Sequence, residues 1–244
     1  MQTIRSALRH AGALRMDHVM GLFRLFWIPW GFGPKRGAFV RYRPDEMLAI
    51  VALESHRAGA YVVGEDLGTV EDGVREQLAA HSVLSYRLLW FEEEPPETYP
   101  KMAMVAATTH DLPTIAGLWT GSDLADQHRL NLKPSDEAVQ EMHDRLAAMT
   151  GLAGDEPVET VITRAYSLLA EAPSLVVSAT LEDALAVPAR TNMPGTIDQW
   201  PNWSVALPGG IEALEASPLA GSIAKAMRGT PSRPRTRTQS RSTT

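Results

Sequence analysis

The stretch AYVVGEDLG, residues 60–68, sets a short apolar run directly against two acids. Two valines and a tyrosine favour a strand, and Gly64 and Gly68 mark the break that follows it. The run is long enough for a buried strand and too short for a helix. Two other stretches repeat the arrangement. LRMDHVMG, residues 14–21, ends its apolar run at Asp17, and MVAATTHDLPT, residues 104–114, ends its run at Asp111. His18 follows Asp17, and His110 precedes Asp111. Acids delivered to one rim by successive parallel strands suggest a catalytic centre on a β/α barrel.

Around these runs, strand-like and helix-like patterns alternate, which argues for an α/β fold with parallel strands. Residues 3–10 predict a helix with Ile4 and Leu8 on one face, and residues 44–56 predict another with Pro44 in its first turn. Between them, from Gly21 to Arg43, lies a long stretch read as irregular. It is rich in Gly, Pro and aromatics, including Phe23, Phe26, Trp27, Trp30, Phe32, Phe39 and Tyr42. A loop of that length is functional or disordered, and this one is too apolar for disorder. Thr69 is expected to cap a helix running through Val74 and Leu78. Further strands are read in SVLSYRLLWFE, KMAMVAATT and SLVVSAT. Residues 123–172 read as mostly helical, with breaks near Gly121, Pro134 and Gly151, and residues 211–227 as a last helical segment.

Five strands are thus expected, ending near residues 16, 64, 91, 109 and 180. A closed barrel of this kind has eight. The expectation is therefore the C-terminal portion, about five of eight strands, of a (β/α)8 barrel occupying residues 1–227, with an open five-stranded sheet as the alternative. Residues 228–244, apolar-poor and arginine-rich, read as a disordered, solvated basic tail.

Composition narrows the function classes. The net charge of -6 argues against an extended nucleic-acid surface. There is no cysteine, so disulfides and thiolate metal sites are out, and a cytoplasmic location is expected. No apolar stretch approaches the roughly 18 residues that would span a bilayer, so no membrane partner is expected. Nothing in the sequence sets an oligomeric state.

Breaking a glycosidic bond needs two carboxylates in different protonation states. Asp17 and Glu65 are 48 residues apart, room for one βα unit and a long loop, so they can sit on neighbouring strands. A retaining mechanism would hold their carboxyl groups about 5–5.5 Å apart. The shorter Asp17 suits a fixed nucleophile, and the longer Glu65 can reach the bridging oxygen. Arg15 lies two residues before Asp17, on the same side of a strand. Asp111 remains to hold sugar hydroxyls. Trp27 and Trp30 fit either stacking on acceptor sugars or core packing. A divalent metal on His18, His110, Asp111 and Glu65 is a weaker reading, because the H-x-H pair usual in barrel hydrolases is absent.

LRMDHVMGLFRLFWIP, VVGEDLGTV and TTHDLPT, followed by LEDAL, NMPGT and PNW, resemble in order the motifs of the 4-α-glucanotransferases, the amylomaltase or disproportionating-enzyme family. The resemblance runs over about residues 5–215. It implies a (β/α)8 barrel with inserted subdomains and no cofactor. It implies transfer of α-1,4-glucan segments between maltooligosaccharide donor and acceptor, with Asp17 as nucleophile, Glu65 as acid/base and Asp111 stabilising the transition state. Arg15, His18, His110, Trp27 and Asn192 are the expected substrate-binding residues. Family members are much longer and begin well before the R-x-D-H strand, so the first three barrel strands are expected to lie outside this sequence. The rival readings are a retaining α-glucan hydrolase and a truncated, inactive glucan-binding fragment.

Overall fold

The computed structural model describes residues 1–228; of the expected basic tail only Arg228 falls within them. Among the described residues the fold divides into two compact units, residues 1–107 with 172–178, and residues 108–171 with 179–228.

The first unit begins with helix α1, Gln2–Leu8, and strand β1, Ala13–Met16. Strands β2, Arg24–Trp27, and β3, Ala38–Arg41, then pair antiparallel, with Trp27 opposite Ala38. The stretch expected to be irregular is therefore a hairpin. Its alternation was hidden because apolar residues fall on both of its faces. Helix α2, Pro44–Ala58, carries Pro44 at its start and Asp45 and Glu46 in its first turn, and Gly59 ends it in the left-handed region with φ 62. Each feature suits its end of the helix.

Strand β4, Tyr61–Gly64, lies parallel to β1, with Arg15 opposite Val63 and Met16 opposite Gly64. Val62 and Val63 are both buried, as in a strand covered on two faces. Helix α3, Val74–Ala80, follows, with Gly73 at its N-cap. Thr69 does not cap it, since four residues separate the two. Strand β5, Ser85–Leu88, is parallel to β6, Ala103–Ala106, and β6 to the later β7, Val176–Ser178. One parallel bridge, Val63 to Leu84, joins the pair to the trio. The parallel strands end at residues 16, 64, 88, 106 and 178, the last three a little before the expected positions.

Leu48 and Val51 of α2, Val62 of β4, and Val74 and Leu78 of α3 form one buried cluster with Val19 and Phe23. Burying each such side chain contributes about 1.5–3 kcal/mol. Glu54 of α2 is buried too, and it is satisfied by a two-pronged bond from Arg5 of α1, with both contacts at 2.8 Å, and by Arg57 at 3.0 Å. These partners, the Arg5 hydrogen bond foremost, hold its carboxyl down to about 2.

The second unit is helical. It comprises α4, Ile115–Trp119; α5, Ser122–Arg129; α6, Asp136–Thr150; α7, Val158–Leu169; α8, Leu181–Ala184; α9, Ile211–Glu215; and α10, Pro218–Met227. The breaks fall where Gly121, Pro134 and Gly151 were expected to put them. Ile115, Leu146, Val161, Ile162, Tyr166 and Leu169 are fully buried. Asp183 of α8 is buried among them, accepting from the Tyr166 hydroxyl at 2.7 Å and the Ile115 amide at 3.0 Å. Burial pushes both the Asp183 carboxyl and the Tyr166 phenol up. No helix among the described residues is long and apolar enough to cross a membrane.

Candidate active site

Parallel pairing of β1 with β4 brings two of the expected acids together. The Glu65 amide donates to Met16 O at 2.9 Å, and the Val19 amide donates back to Glu65 O at 3.0 Å. Asp17 and Glu65 therefore leave the same end of neighbouring strands, in register. The Glu65 carboxylate bridges the two loops. One oxygen accepts from the His18 amide and the other from the Leu67 amide, both at 2.8 Å. His18 itself sits in the left-handed region, φ 45 and ψ 59. That conformation is uncommon outside glycine and clusters at functional sites.

Asp17 is well exposed and meets the Arg15 guanidinium at 2.7 Å. Arg15 in turn lies over the ring of buried Tyr86, 5.4 Å from its centroid. Burial pushes the Tyr86 phenol up, with Arg15 opposing and Glu65 reinforcing the shift. Trp27 is on the hairpin of this unit, and its indole N–H donates to the Tyr42 hydroxyl at 2.8 Å. Trp27 is 57% exposed and Trp30 fully exposed, so core packing does not describe these rings.

Asp111, His110 and Asn192 come together in the second unit. Asn192 Nδ2 donates to Asp111 Oδ1 at 2.6 Å, and His110 Nε2 lies 3.3 Å from Asp111 Oδ2. The Asn192 amide donates to His110 O at 3.2 Å. The His110 ring packs on Trp203, centroids 4.9 Å apart, and Trp203 is held at φ 61. The loop carrying Asp111 is braced by Thr108, whose hydroxyl donates to Pro113 O at 2.7 Å.

Three residues that sequence reasoning passed over hold these groups. Asp66, beside Glu65, is fully buried and accepts from the Ser85 hydroxyl, the Tyr86 amide and Arg75. It ties the end of β4 to β5. Arg190 is buried, makes a two-pronged bond to Asp123, and donates to Asp111 O at 2.9 Å. Trp203 was noticed only as part of PNW. For Arg190 the one available signal was its place two residues before NMPGT.

A family model described as 4-alpha-glucanotransferase matches residues 1–211. A 4-alpha-glucanotransferase of Mycobacterium tuberculosis is 40% identical over 252 aligned positions, covering 92% of this chain and 35% of the relative. One from Haemophilus influenzae is 33% identical over 219 positions, covering 80% of this chain and 31% of the relative. The crystal structure of amylomaltase from Corynebacterium glutamicum superposes with a TM-score of 0.83 at 32% identity, over 92% of this chain and 36% of that one. The α/β fold is thus similar to that of amylomaltase, and the chain spans about a third of the length of the relatives it matches. With its family model covering most of its length, this chain belongs to the 4-alpha-glucanotransferase family.

Proposed function

We propose that this chain carries the reacting carboxylates of a retaining 4-α-glucanotransferase that moves α-1,4-glucan segments between maltooligosaccharides in the cytoplasm. In this reading residues 1–227 are the C-terminal portion, about five of eight strands, of a (β/α)8 catalytic barrel. The observation that supports it best is the register of β1 and β4, which sets Asp17 and Glu65 side by side at two strand ends.

Asp17 attacks the anomeric carbon of the donor. The new bond from Asp17 Oδ to C1 forms as the bond from C1 to the bridging oxygen breaks. Glu65 gives its proton to that oxygen, and the shortened glucan leaves with a free 4-hydroxyl. In the second half an acceptor 4-hydroxyl loses its proton to Glu65 and attacks C1, which releases Asp17. Two inversions retain the α configuration. Arg15 holds Asp17 in its attacking position. Asp111, oriented by Asn192 and His110, binds sugar hydroxyls more tightly as positive charge grows on the ring.

Incubation with maltotriose tests the reaction. It is run on the 244-residue chain and on a chimera in which residues 1–211 replace the matching segment of the Corynebacterium glutamicum amylomaltase. Glucose together with maltotetraose and longer products is the expected outcome in the chimera. Glucose and maltose without longer products would make the enzyme a hydrolase. No turnover by the chimera would leave a glucan-binding fragment.

A further inference from the structure

Within the second unit, one short segment fastens Asp111 at both ends. Asn192 donates to the Asp111 carboxylate, and Arg190, two residues earlier, donates through Nη1 to its backbone carbonyl. Thr191 between them goes to Glu182 instead, its hydroxyl donating to Oε1 at 3.0 Å. The segment is itself pinned along its backbone. The indole N–H of buried Trp200 donates to Arg190 O at 3.0 Å, and the Trp203 amide to Thr191 O at 2.9 Å.

The Arg190 side chain is 8% exposed and that of Asp123 3%, so both charges are out of water. They satisfy each other. Nε and Nη2 both donate to the Asp123 carboxylate, in the fork geometry that a guanidinium offers and an ammonium does not. Asp123 lies in the first turn of α5 and also accepts from Gln127 Nε2 at 2.8 Å. Stability alone does not call for such a pair, because apolar residues of similar volume often serve a buried site as well or better.

The fork leaves one nitrogen, Nη1, and it reaches the Asp111 carbonyl rather than the Asp111 carboxylate. The charge of Arg190 is neutralised by Asp123. Asp111 keeps a carboxylate that is 50% exposed, with Asn192 on one oxygen and the His110 ring 3.3 Å from the other.

We propose that Arg190 is a positioning residue for Asp111. Asp123 fixes the guanidinium so that one N–H clamps the Asp111 backbone, while the carboxylate stays free for sugar hydroxyls. The part played in the reaction rests on the transferase reading of Asp111; the clamp itself does not. The test removes both charges at once. Arg190→Met with Asp123→Leu leaves no buried ion unpaired, and such exchanges often keep or raise stability, so Tm should not fall. In the 244-residue chain the side-chain amide protons of Asn192 report its bond to Asp111 by NMR. In the double variant their resonances should move toward those of a solvated amide. Arg190→Lys keeps Asp123 paired, but one ammonium cannot form the fork and reach the carbonyl together. It should show the same displacement, and it decides the matter if the double variant unfolds. Wild-type Asn192 resonances in either folded variant would overturn the clamp. In the chimera, both variants should lower kcat on maltotriose about a hundredfold, the scale of a misplaced catalytic group. KM should stay unchanged, because Asp111 binds most tightly at the transition state. Wild-type kcat, or a change confined to KM, would overturn the positioning role. A wild-type chimera that transfers nothing would remove the transferase reading and leave the Asn192 resonances to decide the clamp.

Discussion

Glu65 and Asp66 are neighbours with opposite fates. Successive residues at a strand end point to opposite sides, so one acid of the pair faces the loops and the other faces the core. The sequence GED marks both equally. Only the packing tells that Asp66 is the buried one, with the Tyr86 amide and the Ser85 hydroxyl aimed at it. Asp66→Ala would strand both donors and release Arg75. A loss of about 3 kcal/mol or more is expected by urea denaturation, whatever the activity. Asp17 is the reverse case. Its carboxylate is 70% exposed and its pairing with Arg15 lies near the surface, where such pairs contribute about 0–1 kcal/mol. Asp17→Asn in the chimera should therefore leave Tm within ~2 °C while lowering maltotriose turnover by roughly 10⁴ or more, the scale of losing a covalent nucleophile. For Arg190 the one signal was its place beside NMPGT, which says nothing of what it holds. Its importance comes from Asp123 and Asp111, which lie 67 and 79 residues away, and no local pattern announces a contact that distant.

Elements were legible where one period dominated. The runs ending at Asp17 and Glu65 became β1 and β4 with the expected ends, because the strands of a parallel sheet read as near-continuous apolar runs. The helices from Pro44 and from Asp136 carried their own punctuation of Pro, Ser and Gly. The hairpin was missed because its two strands span four residues each and its aromatic residues do not alternate with polar ones. Gly37, the last residue before β3, was noted only as loop composition. Its role is steric: a Cβ there would lie 2.4 Å from the Phe26 ring. The docking of α1 on α2 was also unreadable, since Arg5 and Glu54 belong to different helices. It has a pH signature. Glu54 is held down to about 2 from its ordinary 4.5, so its contribution is complete above 4.5 and lost as pH falls toward 2. Thermal melts from pH 7 to 2 should show a steeper acid loss for the wild type than for Glu54→Gln, with the two curves converging near pH 2. Parallel curves across that range would mean that the bond contributes nothing to folding.

For the molecule as a whole, the parallel strands and the three acid-bearing stretches were visible in the sequence, and the division into two units was not. That division places Asp17 and Glu65 in one unit and Asp111 in the other. It arises because the chain leaves β6 for four consecutive helices before returning at residue 172, and the length of that excursion follows from helix packing rather than from any motif. Strands β1 and β7 each have one strand partner among the described residues. The central claim is that chemistry passes through a covalent bond to Asp17, and trapping tests it most directly. The Glu65→Gln chimera, given an α-maltosyl fluoride donor, needs no proton for its leaving group but cannot activate the acceptor. The glycosyl-enzyme should then accumulate. Trypsin cuts after Arg15 and Arg24, releasing residues 16–24, MDHVMGLFR, whose one side-chain carboxylate is Asp17. The account predicts a maltosyl mass increment on that peptide, absent in Asp17→Asn. An increment on the peptide of residues 102–129, which carries Asp111, or retained configuration with no labelled peptide at all, would contradict it.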